Sequence, residues 1–240
     1  SKYSNNFANT FLIPFFRGVF LDKNLRVSPQ LFKYYLKLFF WGGAAIPKNG
    51  MQAIPIQLAK TIPDQSIKCS KKVMGIKGNT ILCHDDTKLK AEHIIFACDQ
   101  RALSKLLPTI SEPKESRRVS TFFFTTKRLA KLGPLNFICN QDEPMQISIP
   151  TLIQPSYSPN RDHLCMVTVL GSKKIDHQHI LIKLSERLGD QVKEWMFLHH
   201  HSVNDALPFS GDKKIDISPY YLCGDWLEFG SIEAAMRSGK

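Results

Sequence analysis

Tyr220-Tyr221-Leu222-Cys223-Gly224-Asp225-Trp226-Leu227-Glu228-Phe229-Gly230-Ser231-Ile232-Glu233-Ala234-Ala235-Met236-Arg237-Ser238-Gly239 is the stretch on which the reading of this chain turns. A β-prone run, Tyr220 to Cys223, meets a Gly-Asp turn, and after a short loop a helix opens at Ser231. A strand of this kind delivers a carboxylate at its carboxyl end. The helix that follows presents first-turn N–H groups with partial positive charge, suited to an anion or an electron-rich carbonyl. The carboxylate suits sugar-type hydroxyls, so the two together can hold a polyol chain and the electron-accepting end of a ring. An Asp that only caps a loop is the commoner use of the same pattern.

Upstream, helix-period and strand-period segments alternate. Ser28-Pro29 opens a helix over Gln30–Trp41, which Gly42-Gly43 stops. Gln30, Lys33 and Lys37 form one narrow polar stripe and the other positions are apolar, which predicts a core helix. Lining an apolar cavity or lying in a membrane interface are the alternatives. The segment is too short and too charged to cross a bilayer. Before it, Phe11–Asp22 is broken by Pro14 and Gly18 and reads as irregular, while Gly50–Ile62 reads as a second helix. Strands are expected at Ile67–Ile76, Thr80–His84, Lys88–Cys98, Val119–Thr126, Asn136–Cys139, Ile147–Gln154, Leu164–Leu170 and Val192–Ser202. Within these, His93–Cys98 reads as a strand buried on both faces. Helices are expected at Arg101–Leu107 and from Asp176 to Leu188, with Gly189 as the stop.

The 240 residues, 43% of them hydrophobic, fit one large globular domain or two small ones. Lys+Arg 32 against Asp+Glu 21 gives a net charge of +11, which favours anionic partners. The bases are scattered as the pairs Lys71-Lys72, Arg117-Arg118, Lys127-Arg128 and Lys213-Lys214, with no nucleic-acid motif beside them. A solvated surface is therefore the reading, without nucleic acid as a partner. Cys69, Cys83, Cys98, Cys139, Cys165 and Cys223 lie far apart with no Cys-x-x-Cys pair, which fits free thiols in a reducing, cytoplasmic setting. On a strand His199-His200-His201 would alternate between faces, so no metal site is expected there. The chain begins at Ser1 and stops inside the terminal helix at Lys240, which reads as part of a longer protein.

The terminal stretch resembles the carboxy-terminal flavin motif of the flavin-containing amine oxidoreductases, the family of amine oxidases, protoporphyrinogen oxidases and phytoene desaturases. That motif runs Gly-Asp/Glu and then Gly-Ser-Ile-x-Gly-Ala-x-x-Ser-Gly. Weaker similarities cover the rest of the chain: Gly50–Pro55 through Leu58-Ala59, Val73-Met74-Gly75-Ile76, Ala91–Ala97, and Gln154–Pro159 followed by His163-Leu164. The resemblance implies FAD as cofactor and hydride transfer from a hydrophobic substrate of amine, porphyrinogen or polyene type. It implies that Asp225 bonds the ribityl hydroxyls, that the Ile232 N–H after Ser231 faces the flavin N1/C2=O edge, and that the Val73 backbone meets the adenine. Gly224 and Gly230 would permit close approaches that a Cβ obstructs. Ala234 stands where the family pattern has Gly, a departure that would crowd the cofactor. None of the thirteen glycines forms the Gly-x-Gly-x-x-Gly unit that opens such proteins, so the chain resembles their carboxy-terminal portion and alone would bind FAD poorly.

The expected architecture is mixed α/β. Residues 1–49 and 105–218 would build a substrate domain with a mixed or antiparallel sheet, and residues 50–104 and 219–240 a partial FAD-binding domain. Candidate pocket residues are Phe15, Phe16, Trp41, Trp195, His199 and Trp226, each with core packing as the competing role. A non-catalytic lipid- or isoprenoid-binding module, peripheral to a membrane through Gln30–Trp41, is the rival reading.

Overall fold

In the computed structural model the elements run α1 (Lys2–Phe7), a π-helical turn (Ala8–Leu12), α2 (Ile13–Phe20), α3 (Pro29–Trp41), α4 (Ala53–Ala59), β1 (Val73–Lys77), β2 (Thr80–Cys83), β3 (Lys88–Lys90), β4 (Ile95–Phe96) and α5 (Gln100–Leu106). There follow β5 (Arg117–Thr126), β6 (Leu135–Ile138), β7 (Met145–Ser148), β8 (His163–Leu170), α6 (His177–Leu188), β9 (Met196–Leu207), β10 (Tyr221–Leu222) and α7 (Ile232–Arg237). The structure describes residues 2–115, 117–129, 131–138, 145–171, 175–209 and 215–239; Cys139, Lys213-Lys214 and Lys240 lie outside them. The chain divides into two compact units, Ser1–Ile54 with Arg117–Ala206, and Pro55–Ser116 with Leu207–Lys240.

The first unit is built on the antiparallel sheet β6-β7-β8-β5-β9. β5 and β8 pair from Val119↔Leu170 to Thr126↔His163, and Phe122 and Phe124 on β5 point to the same face as Cys165, Val167 and Val169 on β8. That face is covered by Ile180 and Leu184 of α6, with Val192 and Trp195 closing the core. Cys165 is fully buried, and burial pushes its thiol pKa up to about 12, so it packs as a small hydrophobe. The opposite face, with Thr121, Phe123, Leu164, Met166 and Thr168, is half-buried. Helix α6 starts where the Asp176 carboxylate accepts the His179 N–H at 2.7 Å, and ends at Gly189 with φ +84°.

The segment Phe11–Asp22, expected to be irregular, is helical as far as Phe20, at the end of a helical run over 2–20. At its middle the Ile13 N–H reaches back to Ala8 O, a π-type step that puts Pro14 in the first turn of α2, where a missing N–H costs least. Leu21, at φ +50°, ends it. The next residue, Asp22, is buried and accepts the N–H of Asn24 at 2.9 Å and of Arg26 at 3.1 Å, with the buried Arg117 guanidinium 3.8 Å away. Burial works against this charge, but those N–H groups and the Arg26 and Arg117 cations outweigh it and hold the carboxyl below its usual range.

Helix α3 forms as expected, with Ser28 Oγ accepting the Leu31 N–H at 3.2 Å and Pro29 in the first turn. It is not a core helix, because none of its residues is buried. Phe32, Tyr35 and Phe39 pack against Phe15, Phe16 and Phe20 of α2, while the other side stays open.

In the second unit β1-β2-β3 form an antiparallel meander turned by Gly78 at φ +53°, and β4 pairs in parallel with β10. The expected strand Lys88–Cys98 is split, and β4 is buried on one side only: Phe96 is covered while Ile95 is 63% exposed. β1 starts at Val73 rather than Ile67, and α4 is shorter than Gly50–Ile62. In the first unit β7 stops at Ser148, because Pro150 opens a 3-10 turn, and Asp190–Glu194 is likewise 3-10 before β9 runs from Met196 to Leu207.

Candidate functional site

The terminal stretch takes up strand, turn and helix in the expected order. Cys223 N–H donates to Phe96 O at 3.0 Å, extending the β4–β10 pairing by one bond. Gly224 then turns the chain at φ +154°, and Asp225–Leu227 is a 3-10 turn. Because β4 and β10 are parallel, both carboxyl ends open on the same side, the side on which open α/β sheets carry ligands. Asp225 sits there, with Asp99, the N-cap of α5, close enough to act on its charge. Burial raises the Asp225 carboxyl above its usual range, the Trp226 N–H partly offsets this, and the Asp99 charge adds to the rise.

Ser231 Oγ accepts the Ala234 N–H at 2.9 Å and caps α7. The Ile232 amide precedes it in the first turn, where a helix offers no internal partner. Val73 begins β1 beside a bulge: Val73 pairs with Cys83 and Gly75 with Leu82, so the Met74 backbone between them leaves the ladder. Val73, Asp225 and α7 all belong to the second unit.

The two glycines are crowded by the chain itself. A Cβ on Gly224 would lie 2.8 Å from Trp226 Nε1, and one on Gly230 would lie 2.7 Å from Leu207 Cδ2 and 3.0 Å from Pro208 Cδ. Ala234 is fully buried, so its methyl packs into the protein interior and the expected crowding at a cofactor surface does not arise from it. The motif is also closed on itself through a residue given no role in the sequence reading. Ser238 Oγ accepts the Gly224 N–H at 2.8 Å and donates to Ala235 O at 2.8 Å. The family pattern does carry a Ser at that position, which was the available signal.

Of the six pocket candidates, Phe15, Phe16, Trp41, Trp195 and His199 lie in the first unit and Trp226 in the second. Phe16 is in the α2–α3 packing, with Phe15 half-buried beside it, its ring centroid 4.9 Å from that of Phe39. Trp195 is 3% exposed in the sheet–helix core, and Trp226 is 3% exposed in the core of the second unit. Trp41 is 90% exposed at the end of α3. His199 stands on the half-buried sheet face, its ring 6.2 Å from that of Phe123. His200 faces the other way and stacks on Phe122 at 4.3 Å. Among the described residues no group of three His, Cys, Asp or Glu side chains is placed to hold a metal ion.

The half-buried Asp225 carboxyl and the capped turn at Ser231 fit the polyol and ring edge of a flavin by the chemistry of their donors and acceptors. Comparison with known proteins agrees in fold. The chain superimposes on an oxidoreductase from Methanosarcina mazei with TM-score 0.69 at 15% identity, covering 98% of this chain and 64% of that one. A Pyrococcus furiosus protein gives TM-score 0.60 at 14% identity, over 84% of this chain and 53% of the other. Reduced UDP-galactopyranose mutase gives 0.53 at 12% identity, over 83% and 52%. The chain thus spans less than two thirds of the length of these proteins. No match to a curated protein sequence was found. The family model of the flavin containing amine oxidoreductases matches residues 3–240, and the chain belongs to that family.

Proposed function

We propose that this chain supplies part of an FAD-dependent oxidoreductase that oxidises a hydrophobic substrate, and that its second unit carries the cofactor contacts. The observation that carries the reading is Asp225: a carboxyl at the open end of a parallel strand pair, raised by burial, followed by a Ser-capped helix. FAD, when bound, accepts a hydride from a substrate C–H bond. Asp225 would accept hydrogen bonds from the ribityl hydroxyls, a role that favours its charged form. The Ile232 N–H would donate to the N1/C2=O edge and favour negative charge on the ring. The backbone at Val73, beside the bulge, would meet the adenine. Gly224, Gly230 and Ser231 act by shape, fixing where Asp225 and the Ile232 amide point.

A hydrophobic substrate is supported by the half-buried sheet face of the first unit, where Phe123 shares one side with Leu164 and Met166 of β8 and neighbours the exposed His199 of β9. With the cofactor carrying the redox chemistry, the protein needs to orient substrate and exclude water, and a triad is not required. The test is the visible absorption spectrum of the intact protein purified without added cofactor. Flavin bands that bleach anaerobically with an amine, porphyrinogen or polyene substrate support the reading and name the substrate class. A folded, colourless protein that takes up no added FAD overturns it.

A further inference from the structure

Helices α1 to α3 leave a strip of aromatic surface uncovered. Phe7, Phe11 and Phe15 stack along one side at successive centroid distances of 5.6 Å, and Phe15 meets Phe39 of α3 at 4.9 Å. Next to Phe39, Phe40 and Trp41 are 80% and 90% exposed, and Phe7 and Phe11 are exposed as well. Large apolar side chains in a contiguous exposed group are uncommon on a soluble surface and mark a contact. On α3 the spacing of Lys33, Lys37, Phe40 and Trp41 puts all four on the open face, away from Phe32, Tyr35 and Phe39. Both lysines are exposed, with stems long enough to reach past the aromatic end of the helix.

The charge around this strip has one sign. Residues 2–43 contain six basic side chains and a single acidic one. That one, Asp22, is buried against Arg26 and Arg117, so the charge this segment shows to solvent is cationic. No helix among the described residues is long and apolar enough to cross a membrane. Aromatic anchors with flanking lysines on a short amphipathic helix suit the plane of a lipid headgroup layer instead.

We propose that the open face of α3 docks on an anionic phospholipid surface, with Phe40 and Trp41 entering the headgroup–acyl boundary and Lys33 and Lys37 bonding lipid phosphates. Anionic lipid is the occupant favoured by this charge. A second copy of the chain would bring the same cations against each other. Docking of this face does not require the flavin reading to hold.

The test uses the intact protein with vesicles of phosphatidylcholine alone and of phosphatidylcholine with 30% phosphatidylserine. Trp195 and Trp226 are buried, so Trp41 supplies the lipid-sensitive tryptophan emission of this chain. A Trp41→Phe variant isolates its signal in the intact protein. Co-sedimentation at least tenfold stronger with the anionic vesicles is expected, together with quenching of Trp41 by brominated lipid. Phe40→Ser with Trp41→Ser should lower partitioning at least tenfold. Lys33→Gln and Lys37→Gln should each lower it about fivefold, and salt should weaken it. All four side chains are exposed, so these changes leave the packing of α3 on α2 in place. Failure to sediment overturns the proposal, as does binding in which brominated lipid leaves Trp41 unquenched. A Trp41 shift that follows protein concentration without vesicles also overturns it and assigns the face to a second copy.

Discussion

The indole Nε1 of Trp226 donates to the carbonyl oxygen of Cys98 at 3.0 Å. It joins the residue after the Gly-Asp turn to the bend that follows β4, across 128 positions of sequence. The same ring stands against Gly224, so the direction of the turn, the seat of Asp225 and the end of β4 are fixed by one side chain.

Trp226→Phe keeps most of the buried ring and removes the donor, leaving the Cys98 carbonyl unsatisfied. A loss of about 1–3 kcal/mol is expected. Denaturant midpoints and faster amide exchange at Cys223, whose N–H bonds Phe96 O, would record it.

Gly224→Ala should do more harm than Gly230→Ala. At Gly224 the added methyl meets an indole pinned by its own hydrogen bond, in a backbone conformation that disfavours side chains. At Gly230 the nearest atom is the end of a flexible Leu207 side chain, although Pro208 gives way less easily. A Tm drop of several degrees is expected for the first, with loss of flavin uptake, and a smaller drop for the second.

Asp225→Asn should separate stability from binding. A carboxyl whose folded pKa is raised contributes stability that is fully present below its ordinary value, 3.8, and is lost as pH rises through the folded value. The variant escapes that loss, so without flavin it should be more stable than the parent at pH 7, the two converging below about pH 4. Its affinity for FAD should fall roughly tenfold or more, since a charged acceptor is gone. Thermal scans across pH and a flavin titration by fluorescence quenching measure the two effects.

Asp22 shows the opposite dependence. Its carboxyl is held below the ordinary value of 3.8, so its contribution is complete above that pH and disappears as pH falls through the folded value. Asp22→Asn removes the anion beside the buried Arg117 and should cost about 3–5 kcal/mol at neutral pH. Urea midpoints should fall with acid in the parent below about pH 4 and change little there in the variant.

Local chemistry was legible wherever a side chain bonds its own neighbours. Ser28, Asp176 and Ser231 each cap the helix their position announces. The helix through Pro14 was hidden because a π-type step, which leaves no compositional mark, absorbs the proline. Whether an aromatic side chain is covered depends on residues far away in sequence. Trp195 and Trp41 read alike in the chain, yet one closes a core and the other stands in solvent. The influence of Asp99 on Asp225 was hidden for the same reason, since the two come together only after β4 and β10 have paired.

That pairing sets an order for biosynthesis. The second unit is interrupted by Arg117–Ala206, about 90 residues of the first. At translation rates of about 5–20 residues per second, β4 waits roughly 6–26 seconds for β10 and Trp226. Throughout that time Ile94, Phe96 and Leu103 lack the covering that Trp226, Leu222 and Leu227 later give them. The ribosome-bound chain therefore carries an open apolar surface next to a two-residue strand with no partner. A holding chaperone would act at this stage, and yield on expression should depend more on this interval than on the stability of the finished fold.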